Sequence, residues 1–214
     1  SNEYASVVSE CTNISVGYYN QHTKNEVQDL DSSLYSFHTG NPTIEIRIDE
    51  NDKPMLECQS VEGTDYQISS SDGDVTRKKW HHIAGVKNGA NLTLYLDGVA
   101  VATRSDLTGN FGNSTDTTHI GGRVGSKPYG GYLGPLRVSN SARYTEDFTP
   151  PTTSFTNDGN TKLLIQNGTD GSQTFTDSSS SSHSITVNGS PRWFAPKVGA
   201  GAMAFDGTED FYLS

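Results

Sequence analysis

The stretch "IEIRIDE" at residues 44–50 is the first place in the sequence where catalysis is conceivable. Alternate residues of a strand share a face, so Glu45, Arg47 and Asp49 lie together and the isoleucines face the other way, toward a core. Retaining glycoside hydrolysis needs two carboxyl groups about 5 Å apart, one of which acts as the acid. A fixed Arg47 cation holds Glu45 ionised instead. We therefore predict an ordinary half-buried strand, whose charged residues lie on its solvent-exposed (wet) side, and no catalytic residue.

Two other features contain residue types that can catalyse reactions or bind phosphate. They are the adjacent His81 and His82, and the glycine-rich stretches "IGGRVG" and "YGGYLG". Neighbouring strand residues point in opposite directions, so the histidines cannot serve one site, and we expect one to pack and one to be solvated. The glycine-rich stretches lack the strand-then-helix context of a phosphate loop. No strained nucleophile turn is present. The sequence therefore predicts that the chain is not an enzyme.

Calcium is the one metal that the sequence suggests, through Asp206 and Asp210 in "FDGTEDF", with Asp170 or Asp177 as a further ligand. Carboxylates are the ligands that this hard cation prefers, and the formal charge of −10 favours its capture. Asp-Gly is equally a good turn, and no dense Asp/Asn ligand loop is present. A calcium site and a plain turn both stay open, and no cofactor is required.

Glycosylation is a second kind of modification that the sequence permits. N-x-S/T triplets occur at Asn13, Asn91, Asn113, Asn167 and Asn188. These triplets are acceptors in secreted proteins, but a chain rich in Asn, Ser and Thr also forms them by chance. Asn188 is the weakest because Pro191 follows its serine. We predict a glycosylated, extracellular or surface-exposed protein, with polar turns as the alternative interpretation.

The two cysteines, Cys11 and Cys58, are too few for a zinc site and are not spaced as a redox pair. The alternatives are one disulfide or two buried thiols. We favour a disulfide between Cys11 and Cys58, because the glycosylation triplets point outside the cytosol.

Composition limits the partners and the fold class. The negative charge repels nucleic acid and anionic membranes, and no apolar run reaches the length of a membrane span. Hydrophobic residues make up 32% of the 214 residues, and 22 glycines separate short apolar segments. Short alternating segments between tight turns are typical of strands, as in "NLTLYL", where Leu92, Leu94 and Leu96 share one face. The "DG" at residues 97–98 then predicts a two-residue hairpin.

About a dozen strands are predicted in all, and only "NSARYTEDF" permits a helical turn. The strand candidates are "NISVGYY", "LYSF", "TIEIRID", "MLECQ", "YQIS", "THIGG", "GYLGPLRVS", "TKLLIQ", "HSITVNG" and "AMAFDG", besides the pair around "DG". That number at short intervals indicates an all-β, two-sheet antiparallel sandwich.

Three stretches of the sequence resemble laminin-G-like, concanavalin A-like jelly-roll domains. "WHHIAGVKNGANLTLYLDGVAVAT" resembles their central hairpin, "GGYLGPLRVSNSARYTEDFTPP" their closing strand, and residues 161–214 their opening strands. The resemblance implies a jelly-roll sandwich and covers nearly the whole chain. Some jelly rolls are retaining β-glucanases, but they carry an aspartate where this chain has Arg47. Related sandwiches often bind calcium at a sheet rim.

The order of these stretches is circularly shifted, since the opening strands follow the closing one. Ser214 joined to Ser1 would continue the pattern without a gap. We expect residues 1–149 to form the main part of the sandwich without its opening strands, 150–161 to be a Pro/Thr-rich connector, and 162–214 to supply the opening strands to this or the next unit. A closed permutant, a tandem array and strand exchange between copies all fit. We favour the repeated arrangements, because natural domain ends seldom fall within a strand.

Two functions from different classes follow. The first is a non-catalytic extracellular structural module, one period of a tandem or strand-sharing fibre whose partners are copies of itself. The alternative is a lectin-like glycan-binding or adhesion module of a secreted, cell-surface or phage-tail protein. Exposed aromatic residues clustered on one face would serve the second, and the candidates are Tyr18, Tyr19, Tyr129, Tyr132 and Trp193. The alternative interpretation is that these rings are core residues or cross-strand partners.

Overall fold

The computed structural model describes residues 13–19, 32–37, 43–49, 51–71, 74–76, 79–109, 118–122, 129–194, 201–207 and 211–213. For residues 13–19, 32–37, 43 and 211–213 it describes the backbone. The predicted continuity between Ser214 and Ser1 lies outside the described residues.

Sixteen β-strands occur in the described ranges. They are β1 (Asn13–Tyr19), β2 (Ser32–Phe37), β3 (Thr43–Ile48), β4 (Pro54–Gln59), β5 (Asp65–Ser69), β6 (His81–Asn88), β7 (Asn91–Leu96), β8 (Val99–Arg104), β9 (Thr118–Ile120), β10 (Gly130–Leu133), β11 (Leu136–Ser139), β12 (Thr161–Ile165), β13 (Ile185–Val187), β14 (Arg192–Phe194), β15 (Ala202–Asp206) and β16 (Phe211–Leu213).

Two sheets contain all of these strands, and every pairing between described strands is antiparallel. Sheet A has the order β14-β15-β10-β1-β6-β7-β8, with β11 pairing to β1 and to β12. Sheet B has the order β13-β16-β9-β2-β3-β4-β5. The predicted all-β, two-sheet sandwich is confirmed.

The core lies between the two sheets and follows from the period-two patterns. Ile46 and Leu56 of sheet B and Ile83 and Leu94 of sheet A are all fully buried in one cluster. The sheets approach closely at Gly85, where a Cβ atom would lie 2.8 Å from Leu56 Cδ1. Residues between the core positions face outward. The predicted shared face of the three β7 leucines is confirmed.

The hairpin between β7 and β8 turns at Asp97 and Gly98, with φ values of 52° and 84°. Two consecutive positive φ angles are the requirement of a tight hairpin turn, and Asp-Gly meets it. A side chain at Gly98 would also strike the carbonyl oxygen of Phe148, at 1.9 Å from a Cβ atom. The predicted "DG" hairpin is therefore confirmed.

Residues 140–148, called the strap below, cross the outer face of sheet A. The strap contains no helix, so the helical turn allowed by the sequence is absent from this segment. Its Arg143 donates two hydrogen bonds of 2.6 Å to the carboxylate of Asp158, and this cation holds the pKa of Asp158 well below its usual range. The strap is thereby tied to the segment that precedes β12.

Irregular segments bond to two of the end strands of sheet A, β14 and β8. At β14, Gly171 N donates to Trp193 O and Trp193 N donates to Ser172 O, at 2.9 and 2.8 Å. At the other end, Phe148 N donates to Gly98 O, and Asp147 Oδ1 accepts from Ala100 N, both at 2.8 Å. These bonds occupy backbone groups that an exposed edge would offer to another chain.

Strands after residue 160 pair with strands from earlier in the same chain. β12 lies on β11, β15 on β10, and β16 on β9. The sequence pattern missed β14 and β16, which have three residues each and offer too little alternation to recognise. It also joined β10 to β11, which are separate at Pro135, a residue without an N–H for the ladder. The three domain boundaries stay predictions.

None of the described residues form a helix that is long and apolar enough to span a bilayer.

Candidate functional site

A groove of about 330 Å³ lies on the outer face of sheet A, over β10, β15 and β14. We call it the sheet A groove, and its lining residues are Tyr132, Ser190, Arg192, Phe194, Ala204, Phe205 and Asp206. Its volume is at the lower end of the range, about 300–1,000 Å³, that is typical of small-molecule sites. It combines two aromatic rings, a cation and a carboxylate.

The outward direction of the groove residues follows from the inward direction of Trp193. This indole is 1% exposed and its Nε1 donates to Thr174 O at 2.8 Å. Because strand neighbours alternate, Arg192 and Phe194 then face outward, and the ring of Phe194 is 42% exposed. Sequence reasoning missed both residues. "PRWF" alternates, but the pattern alone does not say whether the indole or its neighbours face the core.

Strand register aligns the remaining groove residues with Arg192. Ala204 is the pairing partner of Arg192 on β14 and of Tyr132 on β10. On β15, Met203 and Phe205 belong to the core, whereas Ala204 and the exposed Asp206 face outward. Three adjacent strands therefore contribute one row of side chains to the groove.

The groove suits a polar ligand that has one apolar face. The rings of Tyr132 and Phe194 lie 5.1 Å apart between centroids, tilted by 54°. Such rings offer flat apolar surface, while Arg192 donates and Asp206 accepts hydrogen bonds. A sugar ring, with C–H groups on one face and hydroxyls around its edge, matches this set.

Sequence reasoning proposed several aromatic residues as sugar platforms, and among those whose side chains the structure describes, Tyr132 alone lies in the groove. Tyr129 is 2% exposed and packs against Phe205, and Trp193 belongs to the core, so both proposals were wrong. Both residues sit on the inner side of strands or turns that pack on the sandwich core. The side chains of Tyr18 and Tyr19 lie outside the described part.

The candidate calcium ligands do not form a cluster in the described part of the chain. Asp206 lines the groove, and Asp210 lies outside the described residues. Within the ranges that the structure describes, no three His, Cys, Asp or Glu side chains are grouped as a metal site. Calcium binding at Asp206 and Asp210 stays a prediction.

Asp177 has a structural role instead of the suggested ligand role. It is 4% exposed, and its Oδ1 accepts hydrogen bonds from Leu164 N and Ser179 N. Its Oδ2 accepts from Ser179 Oγ and His183 N. All four bonds are 2.8–2.9 Å long, so the carboxylate is saturated by donors of the chain.

The glycosylation triplets are exposed wherever their side chains are described. Asn91 begins β7, and Asn167 and Asn188 lie in irregular segments after β12 and β13. Asn113 and the side chain of Asn13 lie outside the description. Glycosylation at the five positions stays a prediction.

Cys58 is a free thiol buried in the core. Burial raises the pKa of this thiol to about 12, so it is protonated and unreactive near neutral pH. Cys11 lies outside the described residues, and the Cys11–Cys58 disulfide stays a prediction.

The "IEIRIDE" strand is only partly as predicted. Ile44, Ile46 and Ile48 belong to the core, which is confirmed, but Glu45 on the opposite face is only 5% exposed. The expected wet side is therefore wrong at Glu45. Arg47 Nη2 lies 3.8 Å from Glu57 Oε2 on the neighbouring strand, β4. The predicted absence of catalytic residues stays a prediction.

Neither His81 nor His82 is a solvated side chain, which corrects the expectation that one would be. His81 is 7% exposed, and its Nδ1 lies 2.8 Å from Asp97 Oδ2. Asp97 Oδ1 accepts from the backbone N of His82, so one turn carboxylate fixes the start of β6. The ring of His82 lies under the strap, against Tyr144 and Phe148.

The fold is an antiparallel two-sheet sandwich, and the family comparison agrees with it. Residues 20–148, more than half of the chain, match the laminin-G family model described as "Concanavalin A-like lectin/glucanases superfamily". The chain belongs to this superfamily. No curated protein matches it.

Solved structures resemble this chain at low sequence identity. The CBM40 domain of Ruminococcus gnavus IT-sialidase, solved with α2,3 sialyllactose, has a TM-score of 0.53 and 17% identity over 65% of this chain and 80% of that chain. A heptameric SAP-like pentraxin from Limulus polyphemus has a TM-score of 0.46 and 16% identity, over 64% of this chain and 67% of its own. At such identities the CBM40 likeness shows a common fold.

Proposed function

We propose that the chain is a non-catalytic, extracellular glycan-binding module that holds a sugar ring in the sheet A groove. The observation that carries this proposal is the pair of rings, Tyr132 and exposed Phe194, beside Arg192 and Asp206 on one outward face. An exposed aromatic side chain beside polar groups is what a ligand with both apolar and hydroxyl surface requires. Membership of a superfamily that contains lectins supports the ligand class.

Sialyllactose is the first probe, because the CBM40 domain of like fold was solved with it and because Arg192 offers a partner for a carboxylate. Lactose is the matched neutral probe. If Arg192 pairs with the sialic acid carboxylate, sialyllactose should bind more tightly than lactose, and Arg192→Gln should remove that difference. The carboxylate of Asp206 repels the carboxylate of sialic acid. If this repulsion outweighs the pairing with Arg192, lactose should bind as tightly as sialyllactose or more tightly.

Replacing Phe194 by alanine should weaken glycan binding about tenfold or more, equivalent to about 1.4 kcal/mol, because the exposed platform is lost. Titration calorimetry on the intact chain measures this. The matched control is Val99→Ala, which removes another exposed apolar side chain at the opposite edge of sheet A and should leave affinity unchanged. Equal affinities of the Phe194 variant and the parent chain would place binding elsewhere, and a glycan array without any ligand would overturn the proposal.

A second candidate function is self-assembly of a structural fibre by strand exchange. The observation in its favour is that β12–β16 follow one connector, residues 150–161, and pair with β9, β10 and β11. A neighbouring copy offers the same registers, and head-to-tail exchange of this kind produces filaments.

Shortening the connector tests this candidate. Deleting residues 151–154 should prevent the last five strands from reaching their own sandwich and should produce oligomers, whereas the parent chain should associate only at high concentration. Light scattering after size-exclusion chromatography measures the mass of both. Monomers at every concentration, in the deleted and the parent chain alike, would exclude strand exchange.

A further inference from the structure

The strap covers a small apolar cluster on the outer face of sheet A, separate from the main core. Ala84, Val86 and Tyr95 of the sheet form this cluster, and the strap adds Ala142, Tyr144 and Phe148. The two strap rings stack on each other, with centroids 3.5 Å apart and planes 5° from parallel. Closing the strap therefore buries aromatic surface against β6 and β7.

His82 lies inside this cover. Its ring meets Tyr144 and Phe148 edge-on, with centroids 6.0 and 5.4 Å away. Both ring nitrogens are buried, and neither has a hydrogen-bond partner within the described part of the chain. A neutral imidazole tolerates such a site at modest cost, but a charged imidazolium without a partner there is strongly disfavoured.

Charged groups face His82 from two neighbouring elements. Asp97, in the turn between β7 and β8, favours the protonated ring, but its two oxygens already bind His81 and the backbone N of His82. Arg137 of β11 disfavours protonation; it is 9% exposed and its guanidinium lies 4.5 Å from the ring centroid of Phe155. Burial is the largest effect, and it lowers the pKa of His82 to about 4.

The remaining titratable groups belong to the strap and β7. Tyr144 and Tyr95 contact the cluster through their rings, and burial raises the pKa of Tyr95. Glu146 and Asp147 lie near Tyr95 and raise its pKa further. Asp147 also accepts the hydrogen bond from Ala100 N, so this carboxylate is a second place at which the strap is held.

We propose that the strap is an acid-released cover: its residues 144–148 lie over the cluster while His82 is neutral and lift away when His82 takes up a proton, whereas Arg143 keeps its bonds to Asp158. Opening gives the imidazolium access to water and exposes the apolar surface of Ala84, Val86 and Tyr95. The release is local, because the sheet ladders of β6 and β7 do not depend on the strap.

The direction of the pH effect follows from proton linkage. Above about pH 6.5 the ring is neutral whether the strap is open or closed, so pH has no effect. Between that pH and about 4, the open state binds a proton that the closed state does not, so falling pH favours opening. At pH 4 the opening equilibrium should be about 10²-fold more favourable than at pH 7.

Amide hydrogen exchange of the intact chain, corrected for the intrinsic effect of pH, tests the proposal. The Phe148 amide, bonded to Gly98 O, reports strap opening, and the amides of β7 report global unfolding. Exchange at Phe148 should rise about 10²-fold from pH 7 to pH 4 while β7 stays protected. In His82→Phe, which keeps an aromatic ring but cannot titrate, the rise should vanish. Asp147→Asn is the matched control and should keep it.

Three results would overturn the proposal. They are an unchanged pH response in His82→Phe, a response that disappears in Asp147→Asn, and strap and β7 amides that lose protection together. If His82→Phe does not fold, His82→Leu replaces it. NMR titration of the His82 ring in the parent chain gives an independent readout: a midpoint near 4 agrees with the cover, and one near the ordinary value of about 6.5 contradicts it.

Discussion

Replacing Asp177 by alanine is expected to lower the free energy of unfolding by about 3–5 kcal/mol. The carboxylate accepts three backbone N–H groups and one hydroxyl, from Leu164, Ser179 and His183. Alanine would leave these buried donors without an acceptor, and each costs about 1–3 kcal/mol when it loses its partner in part or in full. Urea denaturation followed by circular dichroism measures the difference.

Asp177→Asn is the matched variant for this prediction. Its single carbonyl oxygen keeps the bonds on one side, while its NH₂ group opposes donors on the other, so an intermediate loss of stability is expected. Calcium offers a competing explanation. If EDTA destabilises the parent chain but not the Asp177 variants, this residue is a metal ligand and the structural account is wrong.

Gly168→Ala is expected to lower the free energy of unfolding by about 1–3 kcal/mol or more and to weaken any glycan binding in the sheet A groove. A Cβ atom at residue 168 would lie 2.0 Å from Trp193 Nε1, far inside contact distance. The indole cannot move aside easily, because Gly201 and Phe175 also pack on it and its Nε1 is bonded to Thr174. Displacing it would shift Arg192 and Phe194 with it.

Gly159→Ala is the control for this substitution, because nothing lies within 4 Å of a Cβ atom at that position. Its stability should stay within about 0.5 kcal/mol of the parent chain. Thermal and urea unfolding of both variants make the comparison. A Gly168 variant as stable as the Gly159 variant would show that the indole is loosely held and does not fix the groove.

The fold was predictable because apolar residues alternate with other residues along its longer strands. β3 and β7 alternate over six residues each, and the Asp97–Gly98 turn is set by two residues, so local sequence is sufficient there. The strands β14 and β16 were missed because three residues are too few to show alternation. In addition, β16 pairs with β9, which lies far earlier in the chain, and a local pattern contains no information about such a partner.

Two residues of the candidate site were singled out from the sequence, Tyr132 as a sugar platform and Asp206 as a calcium ligand. Arg192 and Phe194 face outward because Trp193 fits against Gly168, and the sequence does not reveal that contact in advance. Burial on outer faces was mispredicted for a similar reason. His82 is covered by rings from the strap, which lies about sixty residues further along the chain. A two-layer pattern assumes that outward positions meet water, and long irregular segments break that assumption.

The bonds made by residues 171–172 and 147–148 along two end strands of sheet A have a consequence for modules of this kind at high local density. Copies crowded side by side on a surface meet fewer free backbone groups at β14 and at the start of β8. Pairing of sheet A between neighbours is thereby disfavoured, which keeps that sheet available to soluble ligands.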